Sequence, residues 1–189
     1  MNLIDRVKNI LLTPKTEWDV INSETVTPPS LLVSYIFPLA VISAIGPVLS
    51  GFLFPGLLGL NAFLISALIA FLSAIISYYI SLYIIDILAP TFGSEKDLNK
   101  SAQLVAYSTT PSFIAGLLSF IPVIGGLLSF VAWAYSIYIM YLGLTPLKKT
   151  PEDKKIIYLI IAFIVTVAVM MVVSAILGSM LLTSALLGF

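Results

Sequence analysis

The sequence contains no cysteine and no histidine. The first absence excludes disulfides and thiolate nucleophiles, and the second excludes imidazole acid–base chemistry and histidine metal sites. Charge is scarce too. Only 10% of the 189 residues are Asp, Glu, Lys or Arg, against about 25% in soluble domains. The nine basic and nine acidic side chains cancel, so no footprint for nucleic acid is present. A cleavable signal peptide is not expected either: the first thirty residues are polar and amphipathic, and no small-residue cleavage site ends the first apolar run. What the chain has is hydrocarbon. It is 60% hydrophobic with mean hydropathy +1.12, which predicts an all-α polytopic membrane protein.

A crossing needs roughly 20 residues for about 30 Å of hydrocarbon, and five segments of that order can be drawn. The first covers about 31–54 and contains Pro38 and Pro47, which predict a kink or an early end near Pro47. After the turn "PGLLGLN" the second runs over about 61–88. The polar loop "APTFGSEKDLNK" precedes the third, about 101–119, which has Pro111 in its middle. "FIPVIGG" closes a tight hairpin into the fourth, about 127–144, with Pro122 and the pair Gly125-Gly126 expected to supply the unusual backbone angles. The charged loop "TPLKKTPEDKK" leads to the fifth, Ile156 to about Leu182.

Charge tests this division. Arg6, Lys8 and Lys15 precede the first span, Lys96 and Lys100 lie between the second and third, and Lys148, Lys149, Lys154 and Lys155 lie between the fourth and fifth. With five spans all nine basic residues fall on one side, and the positive-inside rule makes that side cytoplasmic. A four- or six-span division splits the lysine clusters or needs another helix. The expected topology is therefore N-terminus in and C-terminus out, with a cytoplasmic segment 1–30 and a membrane domain 31–189.

Asp86 lies at the cytoplasmic end of span two, four residues before Pro90. Two readings stand: an interfacial marker that ends the hydrocarbon segment, or part of a polar cleft. The cleft reading rests on Tyr79, Tyr83 and Asp86, which share a helix face at i, i+4, i+7, away from the small stripe Ser73, Ser77, Ser81. In span four, Tyr135 and Tyr138 with Trp133 and Tyr141 make the same end aromatic, as an interfacial belt does. Trp133 and Tyr135 sit deeper, where their polar atoms need partners. The candidate cleft residues are thus Tyr79, Tyr83, Asp86, Tyr135 and Tyr138.

The first four spans carry a faint internal echo. "SYIFPLAVISAIGP" (34–47) and "AYSTTPSFIAGLLSFIP" (106–122) each place a Tyr shortly before a Pro and end on another. "LSAIISYYISLY" and "LSFVAWAYSIY" both begin Leu-Ser with a Tyr six residues after that Ser, so the repeat would be parallel. In the N-terminal segment Leu3, Ile4, Val7, Ile10 and Leu11 share one helix face. Thr13-Pro14 stops and restarts a helix, and Trp18 and Ile21 are expected to lie in the membrane interface.

Several stretches together resemble the Ypt-interacting-protein (Yip) domain family in its prokaryotic form: "LLTPKTEWDVINSE", "SYIFPLAVISAIG", "APTFGSEKDLNKSAQLVAYSTTP", "FIPVIGGLLSF" and "YSIYIMYLGL". The matching positions are Pro14, Pro38, Phe92, Gly93, Tyr107, Pro111, Pro122, Gly125 and Gly143. The resemblance implies five membrane spans. Eukaryotic members resemble adaptors for small GTPases in vesicle formation, but the long polar N-terminal region of those members is missing here, so that function is not carried over.

The function expected is a non-enzymatic membrane protein that organises lipids or protein partners, itself included, in a prokaryotic cytoplasmic membrane. No cofactor, metal or nucleic acid is expected. The alternative is a small transporter or channel for a lipid or apolar solute along the Tyr79–Tyr83–Asp86 face. Ion transport fits poorly, because the first four spans hold no other acid or base. An enzyme would need a nucleophile with a base, or a metal with several ligands, and one acid supplies neither.

Overall fold

A computed structural model describes residues 2–54, 60–121 and 123–187, with side chains for these except 60–62 and 173–187. Helix α1 (Leu3–Leu12) is capped by the Asn2 side chain, which accepts from the Asp5 amide, and α2 (Pro14–Ser23) restarts with Pro14 in its first turn. Among the described residues four helices are long and apolar enough to cross a membrane. Three of them are α3 (Pro28–Leu53), α4 (Leu60–Leu88) and α7 (Ile124–Lys148). The fourth lies within α8 (Lys155–Leu187). Between α4 and α7 come α5 (Leu98–Ser108), capped by the Asp97 carboxylate, and α6 (Thr110–Leu117), extended by a 3-10 turn to Phe120. Among the described residues no strand is present.

The third expected span, 101–119, is therefore not one rod. It divides at Thr109–Thr110, just before Pro111, whose missing amide hydrogen cannot continue the helix. Every residue of α5 from Ser101 to Ser108 is buried, so α5 is sheathed in protein, not lipid. Span one departs differently. It continues past Pro47 to Leu53, and Pro38 is accommodated by a π-helical turn over Leu32–Ile36 that shifts the preceding carbonyls away from the ring. At the α6–α7 hairpin the left-handed residue is Val123 (φ 65°), not either glycine. Gly125 serves close approach instead: a Cβ there would lie 3.0 Å from the Ser119 carbonyl oxygen. Pro122, the turn "PGLLGLN" through residue 59, and the C-terminal side chains lie outside the described residues.

Burial is concentrated at one end. Ile10, Trp18, Ile21, Leu82, Leu104, Ile139, Leu144 and Tyr158 are nearly or fully buried, and they join α1, α2, α5 and the Lys148 end of α7 into one core. At the other end Phe52, Leu53, Ile65, Leu68, Val123, Leu127, Phe130 and Val172 are exposed, as side chains facing lipid are. Trp18 and Ile21, expected in the membrane interface, belong to this core. The Trp18 indole donates to the Ile139 carbonyl (3.0 Å), and its ring fills the place a side chain at Gly143 would take. The amphipathic face of α1 and α2 is spent on protein, leaving Ile4, Leu12 and Val20 outward.

The parallel echo acquires a geometry. Setting Pro38 against Pro111 pairs Ser43 with Gly116 and Gly46 with Ser119. A Cβ on Gly116 would fall 1.9 Å from Ser43 Oγ, and one on Gly46 would fall 2.6 Å from Ser119 Oγ. Tyr35 and Tyr107, the tyrosines before those prolines, meet edge to face at 4.7 Å. Ser43–Gly116 and Gly46–Ser119 are thus contacts between counterparts, whereas the same offset sets Tyr35 opposite Ser108, one residue past Tyr107.

Candidate functional site

Asp86 is at the centre of a closed ionic cluster. Its carboxylate lies 3.2 Å from Lys148 Nζ, and the ammonium also donates to Ser101 Oγ (2.7 Å) and the Asp97 carbonyl (3.1 Å). Ser101 Oγ in turn donates to Asp86 (3.1 Å). All three ammonium hydrogens have acceptors, which is what a buried lysine requires, and Lys148 has no exposed surface. Beside it the Tyr158 hydroxyl donates to the Ile85 carbonyl, and the Tyr158 ring stacks on Phe92 at 4.8 Å. Lys149, in the left-handed conformation, ends α7, and Gly93 turns the chain with φ 69°. The cluster thus ties α4, α5 and α7 together.

A second cluster ties the N-terminal helices down. Arg6 is buried, with one guanidinium nitrogen 2.5 Å from Glu17 and the other bonded to Glu24. The guanidinium lies 5.1 Å above the Tyr107 ring. Thr110 Oγ1 donates to the Tyr107 carbonyl (2.7 Å), so at its 2.7 Å contact with Tyr35 the phenol is the donor. That bond joins the π-helical turn of α3 to the break between α5 and α6. Gln103 spans α5 to α2, donating to the carbonyls of Ile21 and Glu24. Lys100 donates to the Asn22 carbonyl (2.6 Å), and burial lowers its ammonium below the ordinary lysine value against the pull of Asp97 and Glu24. A cavity of about 390 Å³ opens beside Arg6, Glu24, Tyr35 and Tyr107.

The five candidate cleft residues do not share one cleft. Tyr83 is 49% exposed while Asp86 is buried: three residues apart, they diverge by about 60° around the helix. Tyr79 rests on Tyr78 at 5.2 Å. Tyr135 and Tyr138 stack at 5.8 Å elsewhere, beside the α1–α2 turn, where the Tyr135 hydroxyl donates to the Leu11 carbonyl (2.6 Å). Sequence reasoning missed Lys148 and Arg6 as partners. Apolar content fades after Leu144, so Lys148 reads as a loop charge although α7 runs to it, and Arg6 lies on the polar side of α1.

A groove of about 300 Å³ is a third feature, between α8 and the α5–α6 break. Its floor is Ser108, Ile85 and Ala162, all buried, and its rim is Trp133, Ile137, Ile160 and Phe163, all exposed. Ser112 and Ser136 meet across it at 3.1 Å. Among the described residues no group of three acidic side chains is arranged to hold a metal.

The Yip1 domain profile matches residues 8–186, nearly the whole chain. Comparison with curated proteins and with solved structures gave no match. The residues that carry the family likeness converge on the helix junctions: Pro14 restarts α2, Phe92 stacks on Tyr158, Tyr107 underlies Arg6, and Gly143 admits Trp18.

Proposed function

Because the chain belongs to the Yip1 domain family and is a multi-pass membrane protein, we propose that it works without catalysis, as an organiser of lipids or protein partners in a prokaryotic cytoplasmic membrane. The observation that carries this is the consumption of its buried charges. Arg6, Glu17, Asp86 and Lys148 are committed to ion pairs that fasten a charged lobe onto helix ends. A transporter of the kind weighed above would route its solute along Tyr79, Tyr83 and Asp86, but Asp86 is neutralised by Lys148 and Tyr83 points outward.

The lobe also supports the five-span orientation, N-terminus in. Lys8, Lys15 and Asp19 on α1 and α2 are exposed and need water, yet these helices rest on α7 between Tyr135 and Gly143. Ile124–Leu142, about 28 Å long, is then left to cross, and the end of α7 beyond Gly143 stands at or above the headgroups. Asp86 is held at that level, outside the hydrocarbon. In this arrangement α5 and α6 together carry the third crossing: Thr110–Phe120 alone is only about 16 Å long, and α5 is its protein-sheathed cytoplasmic part.

Reconstitution separates organiser from transporter. In vesicles holding a fluorescent phospholipid that dithionite quenches only in the outer leaflet, an organiser leaves the protected fraction equal to that of protein-free vesicles. Accelerated loss of that fraction would favour the transport reading.

A further inference from the structure

We propose that the groove between α7 and α8 is a binding site for one acyl chain of a glycerolipid, whose ester carbonyl accepts a hydrogen bond from Ser108. This deepens the lipid side of the organiser reading and rests on it for the membrane setting.

Three observations carry the assignment. The first is an orphan donor. Ser108 is fully buried, it lines the groove, and among the described residues its hydroxyl has no hydrogen-bond partner. A hydroxyl taken from water without a partner costs free energy. Most neighbouring hydroxyls do not share this state: Thr109 donates to the Val105 and Ala106 carbonyls, Thr166 donates to the Ala162 carbonyl, and Ser112 and Ser136 serve each other. Ser81, half-buried on the same wall, has no partner among the described residues either, so the groove presents two unspent hydroxyls, of which Ser108 is the fully buried one.

The second is the direction in which the groove opens. Its floor is buried, while Trp133 and Ile137 of α7 and Ile160 and Phe163 of α8 are between 36% and 48% exposed. The mouth faces sideways between two membrane-crossing helices, so the occupant enters from the bilayer. Trp133 and Phe163 meet edge to face at 5.6 Å across its deeper end, giving a chain an aromatic wall.

The third is depth. Ser136 adjoins Tyr135, whose hydroxyl is bonded to the end of α1, immediately before the exposed Thr13 and Lys15. Ser112 shares that level through its contact with Ser136, and Ser108 stands one helical turn nearer the cytoplasm. Ser108 is thereby level with Met140, within one turn of Gly143 where α7 leaves the hydrocarbon in the proposed orientation, close to the level of glycerol ester carbonyls. A free fatty acid could present a carbonyl as well, but its carboxylate would have to rest against a groove that holds no cationic side chain. The neutral ester is the better match.

The test uses the full-length protein in nanodiscs of palmitoyl-oleoyl phosphatidylethanolamine. These are doped with the same lipid bearing a mid-chain diazirine, or with its ether-linked analogue, which lacks the carbonyl. After irradiation, adducts on groove peptides containing Trp133 or Phe163 are compared with adducts on the exposed α4 residues Leu64 and Leu68. The proposal expects groove adducts to saturate and to exceed those on α4. It expects the ester probe to outcompete the ether probe about three- to tenfold, the range of a single hydrogen bond. Ser108→Ala should abolish the ester preference while leaving the ether probe unchanged, and Ser136→Leu should remove groove adducts from both probes without touching those on α4. Protease resistance of the first 25 residues reports that each variant is folded, since Trp133 emission would respond to the groove itself. Equal labelling of groove and α4, or an ester preference that survives Ser108→Ala, would overturn the site. So would a free fatty-acid probe displacing the ester lipid. Lipid retained on extraction despite such a result would sink the groove alone and leave the organiser reading standing.

Discussion

Replacing Lys148 with methionine keeps most of the side-chain length but removes the ammonium. Asp86 then keeps the Ser101 hydroxyl as a donor, at 3.1 Å, in a position where its side chain is only 8% exposed. Removing one member of a buried ion pair costs about 3–5 kcal/mol, because the surviving charge is left without its partner. At roughly 2–4 °C per kcal/mol for a chain of this size, the midpoint should fall by about 6–20 °C. Asp86→Asn is milder. The ammonium keeps Ser101 Oγ and the Asp97 carbonyl and can still reach a neutral amide oxygen, so the loss should be about 1–3 kcal/mol. In the double variant Lys148→Met with Asp86→Asn no bare charge remains, and it should be more stable than Lys148→Met alone. The assay is thermal unfolding in mild detergent, followed by Trp18 emission in a Trp133→Phe background and by loss of the monodisperse peak. Two equal and negligible single effects would refute the reasoning, since they would mean that water reaches the pair. Strictly additive losses in the double variant would refute it too.

Other consequences are as direct. Gly143→Leu forces side-chain atoms against the Trp18 ring, which an added Cβ would approach to 2.7 Å. It should therefore release α2, red-shifting Trp18 emission and exposing the first 25 residues to protease. Single cysteines at Lys96 and Lys149 should react with an impermeant maleimide only after cells are opened, and one at Val123 should react in intact cells. Reaction at Lys149 in intact cells would contradict the orientation. Cysteines at Leu118 and Leu128, which line one small cavity beside the hairpin, should crosslink within a chain; failure of this and neighbouring pairs would separate α6 from α7.

Local signals carried well from sequence to structure. Apolar length located α3, α4, α7 and α8, because a membrane helix needs only a run of hydrocarbon. Thr13-Pro14 marked a real restart of the chain. What failed was long-range. The apolar residues of 101–119 look the same whether lipid or protein covers them, so the sheathing of α5 by protein is not legible. Trp18 is amphipathic and suits an interface as well as a core, and only its contact with Ile139, 121 residues away, decides between them. Asp86 lies near the end of its helix, α4 (Leu60–Leu88), but its partner is 62 residues off, among residues that read as loop lysines. The same holds for the cleft: helical periodicity put Tyr79, Tyr83 and Asp86 on one face, yet that face is wide enough to be half buried and half exposed.

The central claim is that this protein acts by holding other molecules, and native mass spectrometry on gently extracted membranes tests it most directly. The spectrum should show the chain with a fixed number of retained phospholipids, or in a defined assembly with itself or another protein. That state should persist in Tyr83→Phe, whose hydroxyl lies outside the buried clusters. A bare monomer, stripped of lipid and partner under conditions that keep Trp18 buried, would contradict the claim.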